Sequence, residues 1–300
     1  MNKAQQKRYN SLYSKHVSAL KRQGKAESTI DVYSRAIRRI TSFFDCPPDI
    51  LTVDQLETYF ESLISTHSWS TVKVDRNGIQ FFFKYILKRD WKWVDIVKPP
   101  SIKTLPDVLT LKEIERLLNG TREQRYQTFI LVCFSMGLRL GEVLALTIHD
   151  IDKELMRVHI RQAKGNKDRF VTLPQMSLDA MRRYWATHRH PTLIFPKGRN
   201  SQERSTATEP MDRGGLQKSF KAIVNDVGIK KLVTIHTLRH SYGTILTDAG
   251  VSLRSIQTEM GHECPKTTAL YTQISTFKHK DTDQRINGVL SRLRILWGDE

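Results

Sequence analysis

Cysteine is scarce: Cys46, Cys133 and Cys264 are the only three in 300 residues, and no two stand as a CxxC pair. That excludes a zinc framework or a disulfide scaffold and fits free thiols in a reducing cytosol. Long hydrophobic runs are also missing. The most apolar, "FILVCFSMGL" at 129–138, ends at Arg139 and is about half as long as a spanning helix must be. The first ten residues, "MNKAQQKRYN", lack the apolar stretch of a signal peptide. GxxxxGK[ST], HExxH and GxSxG do not occur, which removes Walker-type nucleotide sites, zincin proteases and serine hydrolases of the elbow type. "GHECP" at 261–265 lacks the second-cysteine motif of a zinc deaminase. No carboxylate cluster offers the ligands of a two-metal nuclease.

Positive charge is abundant. The net charge is +17, with 48 Lys and Arg against 31 Asp and Glu, which favours a polyanionic partner. The excess is shared: residues 1–106 carry 18 basic against 10 acidic side chains (+8), and residues 107–300 carry 30 against 21 (+9). Both halves are therefore expected to face the partner.

Apolar periodicity divides the chain. In "STIDVYSRAIRRITSFF", Ser28 reads as a helix cap, and Tyr33, Ile37, Ile40 and Phe44 form a helical stripe. Val53, Leu56, Phe60 and Leu63 form a second stripe, and Ile79, Phe82, Phe83 and Ile86 a third. Off these stripes lie Arg35, Arg38, Arg39, Lys73, Arg76 and Lys84, which are ordinary solvated positions or, as the net charge favours for some of them, contacts to the backbone of a polyanionic partner. Three prolines in "VKPPSIKTLP" (97–106) cannot continue a helix, so this stretch reads as a linker between a helical domain over 1–96 and a second domain over 107–300. Thr110 and Glu113 then open a helix as a capping box. "LMRVHIRQAKGNKDRFVTLP" predicts two short strands around a turn at 165–168, with Val158 and Ile160 on the inner face. Helices are expected at about 216–227, 237–249 and 252–260, the last two stopped by Gly250 and Gly261, and an apolar stripe predicts a final helix over about 283–297.

Four places combine reactive side chains with unusual context. Arg139, in "GLRLGE", sits in an apolar neighbourhood, where a guanidinium either binds an anion or pairs with Glu142. Lys164 stands where a strand enters its turn. "IHTLRHSYG" carries His236, Arg239 and His240, the first two sharing a helix face. Two histidines beside an arginine disfavour a metal ion and favour an oxyanion such as phosphate. His262 and Tyr271 complete the set, and alone Tyr271 reads equally as a packing residue or a nucleophile. Together they suit metal-free and cofactor-free phosphoryl transfer. Guanidinium groups neutralise the charge that builds on nonbridging oxygens, and a tyrosine of pKa about 10 needs an imidazole or cationic field to attack near neutral pH.

In this order the residues resemble the tyrosine recombinase, or phage integrase, family. Arg139 resembles the family's first arginine and Lys164 its β-hairpin lysine. "HTLRHS" is similar to the His-x-x-Arg-His box, and "MGHECPKTTALYTQ" to the Gly-His…Tyr box, with Met260 in place of the usual leucine. The resemblance implies a mainly α (α+β) fold: an N-terminal helical, SAM-like core-binding domain and a mixed catalytic domain with a small β-sheet, clamped on duplex DNA. It implies that Tyr271 attacks a phosphodiester to give a 3′-phosphotyrosine. Arg139, Arg239 and His262 would bind the phosphate, Lys164 would act as general acid, and His236 would assist proton transfer, with Glu142 and His240 in support. The implied partners are double-stranded DNA at specific recombination sites and further copies of the chain in a tetramer, joined through the 283–297 helix, with room for accessory DNA-bending proteins. The implied setting is a cytoplasmic, nucleoid-associated enzyme of a bacterium or phage, serving a mobile element. Two other classes share the fold: an architectural DNA-binding protein without turnover, and a nicking-and-closing topoisomerase of type IB.

Overall fold

Two separately packed units, Met1–Lys103 and Thr104–Glu300, make up the chain. The structure, a computed structural model, describes residues 1–89, 106–163, 167–261 and 265–274. The expected linker (Pro106 excepted), Lys164, His262 and the expected 283–297 helix lie outside the described residues.

The first unit is built from α1 (Lys3–Arg22), α2 (Glu27–Phe44), α3 (Val53–Thr66) and α4 (Trp69–Phe82), and α4 runs into a π-turn over Phe83–Leu87. Each predicted stripe supplies its core: Ile37, Ile40, Leu56, Phe60, Leu63, Ile79, Phe82 and Phe83 are all buried. Val53, at the start of α3, stays exposed. Ser28 is not the cap of α2, because the helix already begins at Glu27 and Ala26 holds the N-cap position without a side-chain bond. Helices α2 and α4 pack against each other, and where they meet Asp75 is buried, taking a hydrogen bond from Arg39 Nη1 at 2.6 Å and another from the Tyr59 hydroxyl at 2.8 Å. This tie fixes the register of the two helices. Asp75→Ala strands a half-buried guanidinium and a buried hydroxyl, and is expected to cost about 3–5 kcal/mol. Tyr59→Phe, which removes one neutral donor, should cost about 1 kcal/mol. Urea denaturation of the full chain, followed by hydrogen exchange in α2 and α4, checks both.

The second unit begins with α5 (Leu111–Gly120), α6 (Gln124–Ser135) and α7 (Leu140–Leu144). Thr110 and Glu113 close the expected capping box on α5. The apolar run at 129–138 turns out to be the centre of the core: Phe129, Ile130, Val132, Cys133, Met136 and Leu138 are buried, and α6 packs on α8 (Gln175–Trp185) and α11 (Ile235–Asp248). No described helix is long and apolar enough to cross a membrane. Between α7 and α8 lies an antiparallel sheet in the order β1 (Ile151–Asp152), β2 (Arg157–Ala163), β3 (Lys167–Thr172). Val158 pairs with Val171 and Ile160 with Arg169, and Val158, Ile160 and Val171 turn into the core as the alternation predicts. On the outer face His159 stacks on exposed Phe170, ring centroids 4.7 Å apart. Lys167 and Asp168, expected in the turn, belong to β3. The short α9 (Ser201–Ser205) and α10 (Arg213–Asp226) precede α11, and α12 (Leu253–Met260) and α13 (Pro265–Ile274) follow it.

Candidate active site

Three carbonyl groups at the end of α12 organise this region. A helix leaves its last carbonyls without intrahelical partners and gathers partial negative charge there. Here Gly261 ends the helix at φ +62°, a conformation glycine adopts without strain. The carbonyls left without helix partners then take guanidinium donors from three separate elements. Arg169 on β3 donates from Nε to Glu259 O at 3.1 Å, Arg239 on α11 donates from Nη2 to Met260 O at 2.5 Å, and Arg139 donates from Nη2 to Gly261 O at 3.2 Å.

The three arginines differ in surroundings. Arg239 is 1% exposed, and its Nη1 also donates to Gly137 O at 2.5 Å. Burial, reinforced by Arg139, lowers its pKa to about 10, so it stays charged at neutral pH. Arg139 precedes α7 as its N-cap and keeps 26% of its side chain exposed. The alternatives open for it in the sequence are combined: it pairs with Glu142 (Nη1 to Oε1, 2.7 Å) and still faces the cluster. Glu142 accepts two further bonds from Arg169, at 2.9 and 2.8 Å, and one from the Arg139 backbone amide at 2.9 Å. Burial alone would raise its pKa, but Arg169 and then Arg139 bring it down to about 2. The net charge of three arginines and one carboxylate favours an anion.

His236 and His240 stand one turn apart on α11, with ring centroids 4.6 Å apart. Burial, helped by Arg239 and Arg139, lowers the pKa of His236. Burial with His236 and Arg239 takes His240 to about 4. Both rings are neutral at pH 7, and each keeps a nitrogen able to accept a proton. Tyr271, on α13, is fully buried against Ile256, Met260, Tyr242 and Leu246. Its hydroxyl lies 3.5 Å from His240 Nδ1. Burial raises its pKa to about 12, although Arg239 and Arg139 pull the other way. The ring sits directly over Gly243, where an added Cβ would come within 2.4 Å of it.

Of the side chains singled out in the sequence, the structure brings together Arg139, Glu142, His236, Arg239, His240 and Tyr271. Lys164 and His262 lie outside the described residues. In the first unit, Arg39 is occupied by Asp75, Arg35 by Asp31, and Arg38 by Tyr13 and Asp31. Lys73 and Lys84 are exposed and Arg76 is half-buried. Sequence reading passed over Arg169, although it shares the inward parity of Val171 two residues on. It also passed over Glu259, whose carboxylate takes bonds from the Thr172 amide at 3.0 Å and hydroxyl at 2.8 Å.

Comparison with known proteins gives a consistent picture. The family model described as "Phage integrase family" matches residues 107–277, and that of the "Phage integrase, N-terminal SAM-like domain" matches residues 12–93. A Sinorhizobium fredii protein with an integrase/recombinase designation is 30% identical over 249 residues, covering 82% of this chain and 79% of its own length. The tyrosine recombinase XerD of Halalkalibacterium halodurans is 28% identical over 273 residues, 86% of this chain and 91% of its own. Among solved structures, a lambda integrase tetramer bound to a Holliday junction superposes with a TM-score of 0.69 at 16% identity, covering 87% of this chain and 76% of that one. At that identity the likeness speaks for the fold.

Proposed function

The chain belongs to the phage integrase family, and from that membership we propose that it is a site-specific DNA recombinase that cuts and rejoins duplex DNA through a 3′-phosphotyrosine on Tyr271. The observation that carries this reading is the convergence of Arg139, Arg239, two neutral histidines and a buried tyrosine beside the end of α12.

Each group has a role that its surroundings suit. Arg139 and Arg239 hold the scissile phosphate and stabilise the charge that grows on its nonbridging oxygens, a task other enzymes give to metal ions. The carbonyls leave each guanidinium further N–H donors for the phosphate. His240, whose Nδ1 lies 3.5 Å from the Tyr271 hydroxyl, receives the proton that this hydroxyl gives up as its oxygen attacks phosphorus, and neutral His236 beside it assists the transfer. The bond to the 5′ oxygen then breaks, and Lys164, which follows β2 in the sequence, protonates the departing alkoxide. His262 joins the phosphate contacts. Attack by a 5′-hydroxyl from a partner strand reverses the step, so bond energy is conserved without a cofactor. The first unit serves as the core-binding DNA domain, with Lys73 and Lys84 toward the backbone, whereas Arg39 serves the fold. On this reading the enzyme assembles as a tetramer on recombination sites of a mobile element.

The test uses nicked duplexes bearing the sequences that flank the gene, incubated with the full-length protein in EDTA. A covalent protein–DNA complex is expected, with the adduct on Tyr271 and the DNA joined through its 3′ end. Absence of any adduct, or cleavage only after divalent metal is added, overturns the proposal.

A further inference from the structure

We infer that Arg169 is a positioning residue for strand cleavage: through Glu142 it sets the guanidinium of Arg139, and through the Glu259 carbonyl it fixes the helix end from which the chain leads to Tyr271. The inference rests on the recombinase reading above.

The strand register places Arg169 where it can do this. It pairs with Ile160, so its side chain enters the inner face of the sheet beside buried Val171. A charge at such a position is costly unless every donor finds an acceptor. The fork supplies that: Nη1 and Nη2 take the two oxygens of Glu142, and Nε takes Glu259 O. Each oxygen of Glu142 thus receives one bond from Arg169 and one from Arg139, counting the Arg139 backbone amide. The carboxylate is locked in one rotamer, and the Arg139 guanidinium, bound to Oε1, is locked with it. Arg169 keeps 10% of its side chain exposed against 26% for Arg139, so it backs the phosphate-facing arginine and acts through it.

Charge matters as well as geometry. Without Arg169, Glu142 is left with Arg139 alone as its ion-pair partner, and the positive charge offered to a phosphate falls by one. The stem of Arg169 also lies against the turn at Gly261, where an added Cβ would stand 2.8 Å from Arg169 Cδ. The same arginine therefore joins the hairpin strand, the α7 entrance and the α12 end.

Single-turnover formation of the covalent complex on the nicked duplexes tests the role in the full-length protein. Arg169→Met should lower the rate at saturating DNA on the order of 100-fold, the loss expected from a small misplacement of reacting groups. The DNA concentration for half-saturation should stay within about threefold, since Arg169 sits behind the contact surface and misplacement falls on the rate. Arg169→Lys, which keeps the charge but loses the two-pronged fit, should recover only part of the rate. In a cycle with Glu142→Gln, the double variant should be far less impaired than the product of the two single losses. Thr172→Val removes the hydroxyl bond of a neighbouring strap between β3 and Glu259 and should leave the rate near that of the wild type. A wild-type rate in Arg169→Met or Arg169→Lys, independent effects in the cycle, or an equal loss in Thr172→Val overturns the inference. Failure of the wild-type protein itself to form the adduct falls on the recombinase reading and takes this inference with it.

Discussion

Tyr271→Phe is expected to abolish covalent attachment to DNA while leaving the protein folded and able to bind its site. The phenyl ring fills the same seat among Ile256, Met260, Tyr242 and Leu246, so packing survives. The hydroxyl contact with His240 is long, at 3.5 Å, and losing one neutral hydrogen bond costs about 1 kcal/mol. On the proposed mechanism chemistry should be lost completely, because phenylalanine offers no oxygen to attack. Gel-shift binding beside denaturing-gel detection of the adduct separates the two, and an adduct in the Phe variant removes Tyr271 as nucleophile. The raised pKa adds a signature in alkaline solution. Because the folded protein favours the neutral phenol, its contribution to stability is complete below about pH 10, the unfolded value, and fades as the pH rises toward the folded value of about 12. The wild type should therefore lose stability relative to Tyr271→Phe across that interval, measured by urea denaturation at each pH.

Arg239 carries the second large effect, and here fold and chemistry are joined. Its guanidinium is 1% exposed and ties Gly137 O to Met260 O. Arg239→Ala leaves two carbonyls without that donor and a void in the core, at an expected cost of about 3–5 kcal/mol, a large share of a domain's stability. Arg239→Lys is the sharper probe. One ammonium retains the charge and reaches at most one carbonyl well, so the protein should fold and bind DNA while cleavage falls by about 10²–10³-fold, the range for losing a preorganised oxyanion donor. Thermal melting and single-turnover cleavage give the two readings, and a wild-type cleavage rate in Arg239→Lys would remove Arg239 from the phosphate site.

How much of this was legible beforehand depends on the range of each interaction. Stripes such as Ile37–Ile40 and Leu56–Phe60–Leu63 announce their helices because burial and helical period act within a few residues. The Thr110–Glu113 box is local in the same sense. Arg39 looked like one of several outward cations, and its partner Asp75 lies 36 residues away on another helix, a distance that periodicity does not span. The reactive side chains at 139, 236, 239 and 271 stood out by type and context. What gathers the arginines did not, because it is backbone: the carbonyls of 259, 260 and 261 have no letter of their own. Arg169 was readable in principle, since a cation at the inward parity of a buried strand must have a partner, and naming that partner required the fold.

The close fit of Tyr271 over Gly243 has an energetic consequence. Any excursion of the tyrosine from its seat opens a void the size of an aromatic ring among Ile256, Met260 and Tyr242, and emptying such a space costs about 3–5 kcal/mol where the walls do not collapse. If reaction geometry requires that excursion, the population ready to react is small without DNA, and binding energy at the site must make up the difference. Gly243 then sets the balance. An alanine there would crowd the ring by its one methyl group and weaken the resting seat, and on the recombinase reading it is expected to shift the population outward, trading specificity of triggering for readiness to cut.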